Sequence, residues 1–155
     1  MNKQSREVLF SSKNMKFETP QNLFDLLNKE FNFNLDVCAE DSTAKCKKYF
    51  TEKEDALIQD WNGVCYMNPP YGRKIGKWLE KAYKQSLKGN IIVCLIPSRT
   101  CTKYWHDYVM KSSEIRFIKG RLKFGDCKEN APFPSCIVIF DKNKQVLKTT
   151  TFIID

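Results

Sequence analysis

Apolar residues recur along this chain at two spacings, and the alternation between them predicts the order of its elements. Leu23, Leu26, Leu27 and Phe31 fall at helical spacing, which predicts a helix from Pro20 or Gln21 to about Phe31. Thr19 suits the N-cap of that helix and Pro20 its first position. Asn34-Leu35-Asp36-Val37-Cys38-Ala39 then reads as a short strand ending in small residues. The polar stretch from Glu40 to Lys48 predicts a loop or short helix, and Tyr49-Phe50-Thr51 a further short strand. Gly63-Val64-Cys65-Tyr66-Met67 is a near-continuous apolar run, as expected of a strand buried on both faces. Ile75, Trp78, Leu79, Ala82, Tyr83 and Leu87 return to helical spacing, closed by the C-cap signal Lys88-Gly89-Asn90. Ile91 to Ile96 is the clearest buried strand, expected to stop at Pro97. Tyr104, Trp105, Tyr108 and Val109 predict one more helix face. Ile115–Ile118, Ile137–Phe140 and Thr150–Ile154 predict the last strands.

Strands alternating with helices imply a largely parallel sheet covered on both faces. The strand-rich carboxyl half adds an antiparallel hairpin at one edge. The expected fold is therefore α/β, compact and Rossmann-like. Residues 1–16 are polar and aperiodic and are expected to form a flexible N-terminal segment, with 17–155 as one domain. The central strand runs into Met67-Asn68-Pro69-Pro70-Tyr71-Gly72. Two successive prolines cannot donate to a ladder, so the strand ends at Met67 or Asn68. Asn68, preceding a proline, is held extended. An amide, two stiff carbonyl-bearing residues and an aromatic ring thus gather at the carboxyl end of a buried strand, where open α/β sheets bind ligands.

Charge and cysteine usage narrow the partners. The 155-residue chain carries a net charge of +8, which favours a polyanion, nucleic acid before a membrane surface. No apolar stretch approaches the roughly 20 residues of a membrane span. Seven cysteines without a Cys-x-x-Cys pair, and a lone His106, argue for a reducing cytoplasm and against a disulfide framework or a metal site. His106 is expected to be a structural or surface residue of its helix.

The order of the motifs resembles the S-adenosylmethionine-dependent adenine methyltransferases, and more narrowly the phage and prophage DNA N-6-adenine methyltransferases of the Dam family. The resemblance rests on Thr19-Pro20-Gln21, Leu35-Asp36-Val37-Cys38-Ala39, Lys45-Cys46 with Tyr49-Phe50, Asp55-Ala56-Leu57 with Asp60-Trp61, and Asn68-Pro69-Pro70-Tyr71. It continues through Pro97-Ser98-Arg99-Thr100, Phe117 with Gly120-Arg121-Leu122-Lys123-Phe124, and Ala131-Pro132-Phe133-Pro134-Ser135. It implies a class I-type methyltransferase acting on an adenine amino group in double-stranded DNA, in the cytoplasm of a bacterial host. Asn68, Pro69, Pro70 and Tyr71 form the implied catalytic set. An adenine amino group is a poor nucleophile because its lone pair is delocalised into the ring. The Asn68 side-chain oxygen and the Pro69 carbonyl can each accept one amino hydrogen, favouring a tetrahedral nitrogen, while Tyr71 stacks on a base rotated out of the duplex. Such a site works by alignment and electrostatics and needs no tuned base.

For the cofactor, S-adenosyl-L-methionine, the resemblance implies contacts from Thr19, Asp36, Cys38 and Ala39 to its methionine part. It implies that Asp55 accepts from its adenine amino group, with Leu57 packing nearby. Each has a plainer alternative, Thr19 as a helix cap, Asp36 as a strand-end turn residue and Asp55 as a surface charge. The chain departs from larger methyltransferases in having no glycine before Gly63, hence no Gly-rich loop after the first strand. The second and third strands are expected to be shortened or missing, and Glu40 and Glu52 are weak candidates for the ribose-binding acid. Arg73, Lys74, Arg99 and Arg121 are the candidate DNA contacts. Arg116, Lys119 and Lys123 near Arg121 read equally well as a solvated edge strand. Two other functions stand beside this one: an RNA or protein-glutamine N-methyltransferase using the same Asn-Pro-Pro-Tyr chemistry, and a catalytically silent DNA-binding protein.

Overall fold

The structure is a computed structural model that describes residues 17–144 and 146–154, so the expected flexible segment 1–16 lies outside it. The elements are helix α1 (Gln21–Phe31), strands β1 (Leu35–Asp36) and β2 (Val64–Met67), helix α2 (Ile75–Leu87) and strand β3 (Ile91–Pro97). Helix α3 (Lys103–Asp107) follows, with a 3-10 turn at Val109–Lys111, then β4 (Glu114–Ile118), β5 (Ser135–Phe140) and β6 (Lys148–Phe152). The strands form one sheet in the order β1-β2-β3-β5-β4-β6. β1, β2 and β3 pair in parallel, β5 is antiparallel to both neighbours, and β6 is parallel to β4. This is the expected α/β class, mostly parallel with the antiparallel hairpin in the carboxyl half. β6 adds a strand outside that hairpin.

Register and side-chain alternation put the helices on opposite faces. Cys65, Ile92 and Phe140 are directly paired and share one face, where Phe140 meets Tyr83 of α2. Tyr66 points the other way and meets Phe24 of α1 edge-on at 5.2 Å. That contact corrects the expected stripe of α1: Phe24 is buried, while Leu26 is 45% exposed. Leu23 and Leu27 stay buried as expected, and the Tyr66 and Phe33 rings draw Phe24 in beside them, turning the buried stripe to that side.

Several boundaries also differ from the sequence reading, among them β6, which covers Lys148–Phe152 and not Thr150–Ile154. β1 has two residues instead of six. After the Val37 N–H bonds the Tyr66 carbonyl, the Asp36 carboxylate takes the N–H groups of Cys38 and Lys45 and folds the chain away from the sheet. The strand expected at Tyr49 is a single parallel bridge to Asp36, the whole of the sheet structure between β1 and β2. Pro97, read as a stop, is the last residue of β3 opposite Ser135, a strand end where no N–H is needed. Among the described residues no helix is long and apolar enough to cross a membrane.

Since β5 runs against the others, the 119–134 segment that precedes it arrives at the carboxyl ends of β1 to β4. Those ends and that segment enclose the site.

Candidate active site

Asn68 follows directly on β2, and its side-chain amide is fixed in direction. Nδ2 donates to the Phe17 carbonyl at 2.5 Å and to Thr19 Oγ1 at 3.0 Å. A carbonyl oxygen can only accept, so the nitrogen faces Phe17 and the oxygen faces away. Both amide hydrogens are spent, while Oδ1 is buried with no hydrogen-bond partner among the described residues. An orphaned buried acceptor costs about 1–3 kcal/mol. A donor brought to that oxygen would relieve the cost.

The sequence offers Thr19 as an α1 cap or a cofactor contact. In the fold it caps nothing: Pro20 holds the N-cap position, with no side-chain bond to the helix. The Thr19 hydroxyl instead lies 2.7 Å from the Tyr66 hydroxyl as well as accepting from Asn68.

Tyr71 is 4% exposed. Its hydroxyl donates to the Leu95 carbonyl at 3.3 Å, and burial pushes the phenol well above its ordinary pKa. Phe17 lies tilted over it at 5.2 Å, with Phe124 and Phe133 edge-on at 6.0 and 5.6 Å. Phe124 and Phe133 come from the 119–134 segment, and Phe17 from the irregular lead into α1. That lead is held at both sides, by Gly125 N–H on the Glu18 carbonyl and by the Lys45 ammonium on the Glu18 carboxylate. Gly125 sits at φ +50, and a Cβ there would lie 3.4 Å from the Glu18 Cβ, so the turn that reaches Glu18 favours glycine. The ring that covers Tyr71 is thus part of a closed strap.

On the β1 side, Asp36 is buried beside Tyr66 in register, and Val37 continues along β2 toward Asn68. Burial raises the Asp36 pKa, against the pull of the Lys45 and Cys38 N–H groups and of the Lys45 charge. Cys38 and Ala39 are half-buried just beyond it, and the Ala39 N–H bonds the Phe50 carbonyl. The fold therefore brings Thr19, Asp36, Cys38 and Ala39 to the same strand ends as Asn68, Pro69, Pro70 and Tyr71. Asp55 and Leu57 belong to a separate turn before β2. There Asp55 is exposed in a left-handed conformation (φ 49), and its carboxylate accepts from the Leu57 N–H at 3.2 Å. The turn is anchored by Trp61, whose Nε1 donates to the Ala56 carbonyl at 2.8 Å.

The basic candidates divide. Arg73 and Lys74 are exposed immediately after the Pro-Pro turn, and Arg121 is exposed just past β4. Arg99, past β3, lies with its guanidinium 5.9 Å from the Phe133 ring centre. All four belong to connections at the carboxyl ends of the strands. Arg116 does not: it grips Glu30 of α1 through two bonds of 2.6 and 2.7 Å and Glu114 at 2.9 Å. Those bonds hold the Glu30 carboxyl below its usual range. Burial pushes the Cys46 thiol up to about 11 and the Cys65 and Cys136 thiols up to about 12, so these cysteines act as small apolar groups. His106 is exposed on α3.

Sequence reasoning assigns no role to Tyr66 or Phe17, whose contacts with residues about 50 positions away leave no local pattern. Phe124 and Phe133 stand inside quoted motifs without a role, and the spacing of the two motifs around one loop is the signal available.

A family model described as DNA N-6-adenine-methyltransferase (Dam) matches residues 8–152. The DNA N-6-adenine-methyltransferase of Haemophilus phage HP1 is 30% identical over 132 residues, covering 79% of this chain and 76% of that protein. A crystal structure from Agrobacterium tumefaciens, described as a predicted O-methyltransferase, overlays with a TM-score of 0.42 at 16% identity. That overlay covers 97% of this chain, which spans 62% of the other.

Proposed function

The chain belongs to the DNA N-6-adenine-methyltransferase (Dam) family, and on that premise we propose that it transfers a methyl group from S-adenosylmethionine to the exocyclic amino group of adenine in DNA. The observation that carries this reading is the Asn68 side chain, with both hydrogens bound to the protein and its oxygen orphaned at the end of β2. Oδ1 accepts one amino hydrogen of the target base and the Pro69 carbonyl the other. The amino nitrogen is thereby drawn toward a tetrahedral geometry with its lone pair aimed outward. Held in this way, the nucleophile gains its rate from alignment, without a titrating base.

The residues at the end of β1 fit the cofactor. A buried carboxylate whose pKa is raised, compensated by backbone N–H groups and one lysine, favours a cationic ligand such as an amino-acid ammonium. Asp36, Cys38, Ala39 and Thr19 would hold the methionine part, and Asp55 with Leu57 the adenine end. When bound, S-adenosylmethionine supplies a methyl group activated on a sulfonium centre. Tyr71 holds the flipped base on the face that Phe17 covers. The Phe17 ring therefore turns aside for the base to enter, while its carbonyl keeps the Asn68 amide. Phe124 and Phe133 remain edge-on as walls.

Incubation with methyl-labelled S-adenosylmethionine and unmethylated duplex DNA, followed by nucleoside analysis, tests the reading. Label is expected in N-6-methyldeoxyadenosine. Label that appears only in RNA or peptide competitors, or none at all, overturns it.

Arg73, Lys74, Arg99 and Arg121 line the rim through which the duplex would approach, where cations grip phosphates and set orientation. Arg73→Ala is expected to weaken binding to all DNA sequences alike and to lower the slope of log affinity against log salt by about one. Titrations at several salt concentrations measure this directly. A slope equal to the parent's removes Arg73 from the footprint.

A further inference from the structure

We infer that Tyr66 is a positioning residue, whose buried phenol acts through the Thr19 hydroxyl to hold the Asn68 amide in its working direction. The inference rests on the proposed role of Asn68. Tyr66 lies two residues before Asn68 on β2 with its side chain turned to the α1 face, 1% exposed. Its ring is clamped by Phe24 at 5.2 Å and Phe33 at 5.4 Å, so the hydroxyl has little freedom to wander.

The direction of the chain of hydrogen bonds follows from burial. Thr19 Oγ1 is the one acceptor within reach of the phenol among the described residues, at 2.7 Å. Of the two hydroxyl protons in this pair, one finds no protein acceptor. The phenol is enclosed by the core, whereas Thr19 borders the Asn68 site, so the unpaired proton is that of Thr19. Tyr66 therefore donates to Thr19, and Thr19 Oγ1 spends its lone pairs on Tyr66 and on Asn68 Nδ2.

Each contact then has a separate task at Asn68. The Phe17 carbonyl decides which end of the amide is nitrogen, because an oxygen turned toward it would be repelled. Thr19 decides the tilt of the amide plane, because a single bond to Phe17 leaves rotation about the last side-chain torsion free. Tyr66 pins the Thr19 hydroxyl in the rotamer that accepts from Asn68. Losing the phenol lets that hydroxyl rotate and lets Oδ1 drift, and a drift approaching 1 Å costs up to about a hundredfold in rate.

The test separates positioning from cofactor contact. Tyr66→Phe keeps the ring and its packing, and is expected to lower kcat about tenfold with KM for DNA unchanged and any rise in KM for S-adenosylmethionine, through the loosened Thr19 hydroxyl, smaller than that fall. Thr19→Val is expected to lower kcat further, and Thr19→Ser to recover most of that loss. The phenol acts only through Thr19, so the pair Tyr66→Phe with Thr19→Val should be no slower than Thr19→Val alone. Parental kcat in Tyr66→Phe overturns the inference. So does additive loss in the pair, or a raised KM for the cofactor with kcat intact in Thr19→Val. A second readout stands apart from turnover: the side-chain amide proton signals of Asn68 in nitrogen-15-labelled protein. Tyr66→Phe should shift them and speed their exchange, and unmoved signals overturn the link. If the parent methylates no DNA adenine while these signals do move, the proposed reaction fails and the positioning link stands.

Discussion

Replacing Asn68 by alanine is expected to lower the rate of methyl transfer by about a hundred- to a thousandfold, the usual loss when one preorganised polar group is removed from a reacting centre. The structure locates that loss in one atom. Among the described residues Oδ1 is buried without a partner, whereas Nδ2 is tied to Phe17 and Thr19, so the oxygen is the atom left to meet a substrate hydrogen. Alanine removes that acceptor and leaves the base's amino nitrogen flat and conjugated, with its lone pair in the ring. Cofactor binding should be spared, because the residues at the end of β1 keep their own bonds: Asp36 to the Cys38 and Lys45 N–H groups, Ala39 to Phe50. Folding should lose only about 1–3 kcal/mol, since the variant gives up the two Nδ2 bonds to Phe17 and Thr19 but also removes an acceptor that is unsatisfied in the parent. Single-turnover methyl transfer with calorimetric titration of S-adenosylmethionine distinguishes the two steps. A variant that methylates at a near-parental rate would remove Asn68 from the mechanism, and one that no longer binds the cofactor would make its role structural.

Trp61→Ala is expected to be the most damaging core substitution near the site, at about 3–5 kcal/mol. Trp61 is fully buried, stacks on Trp78 of α2 at 6.4 Å and carries the Lys81 ammonium 6.0 Å from its ring centre. Its Nε1 bond to the Ala56 carbonyl holds the turn that bears Asp55 and Leu57, and its own N–H reaches Gln85 Oε1 at 3.3 Å. Alanine opens a cavity between that turn and α2 and takes one of two donors from the Ala56 carbonyl, which keeps the Gln59 N–H. For a chain of this size the melting temperature should fall by about 6–20 °C. Trp61→Phe retains most of the ring and loses the Ala56 bond, so its fall should be much smaller. If the turn serves the cofactor, that variant should also raise KM for S-adenosylmethionine at unchanged kcat. Thermal unfolding followed by circular dichroism, with the apparent KM beside it, reads both effects. Equal melting temperatures for Trp61→Ala and the parent would mean that the turn is held by other contacts.

Asn68 is legible from the chain, because a Pro-Pro pair after an apolar run must stop a strand and expose its last polar side chain. Trp61 stands in a motif, but its work becomes visible only when Ala56 and α2 are seen against it. The basic residues divide in the same way. Arg73 and Lys74 follow the turn in sequence and remain at the rim. Arg116 shares a basic stretch with Lys119, Arg121 and Lys123, and locally only Glu114, two residues before it on the same strand face, sets it apart. Yet Glu30 of α1 and Glu114 claim its guanidinium.

What the sequence determined by itself was whatever local periodicity and backbone chemistry control. α1 and α2 have their expected spans because apolar spacing selects a helix, and β2 ends where proline removes the ladder donor. The mostly parallel sheet follows from the alternation of those elements, and the family from motifs in a definite order. The tertiary structure alone decided what depends on meetings between distant segments. It turned the buried stripe of α1 toward Phe24 rather than Leu26, and cut β1 to two residues by giving the Asp36 carboxylate two backbone partners. It drew Thr19 from a helix cap to Tyr66 and Asn68, and laid Phe17 over Tyr71. Periodicity tells which side of an element is apolar, but not which atom of a polar side chain will be satisfied. That choice is made by donors and acceptors about 50 residues away, and at Asn68 it leaves the oxygen free.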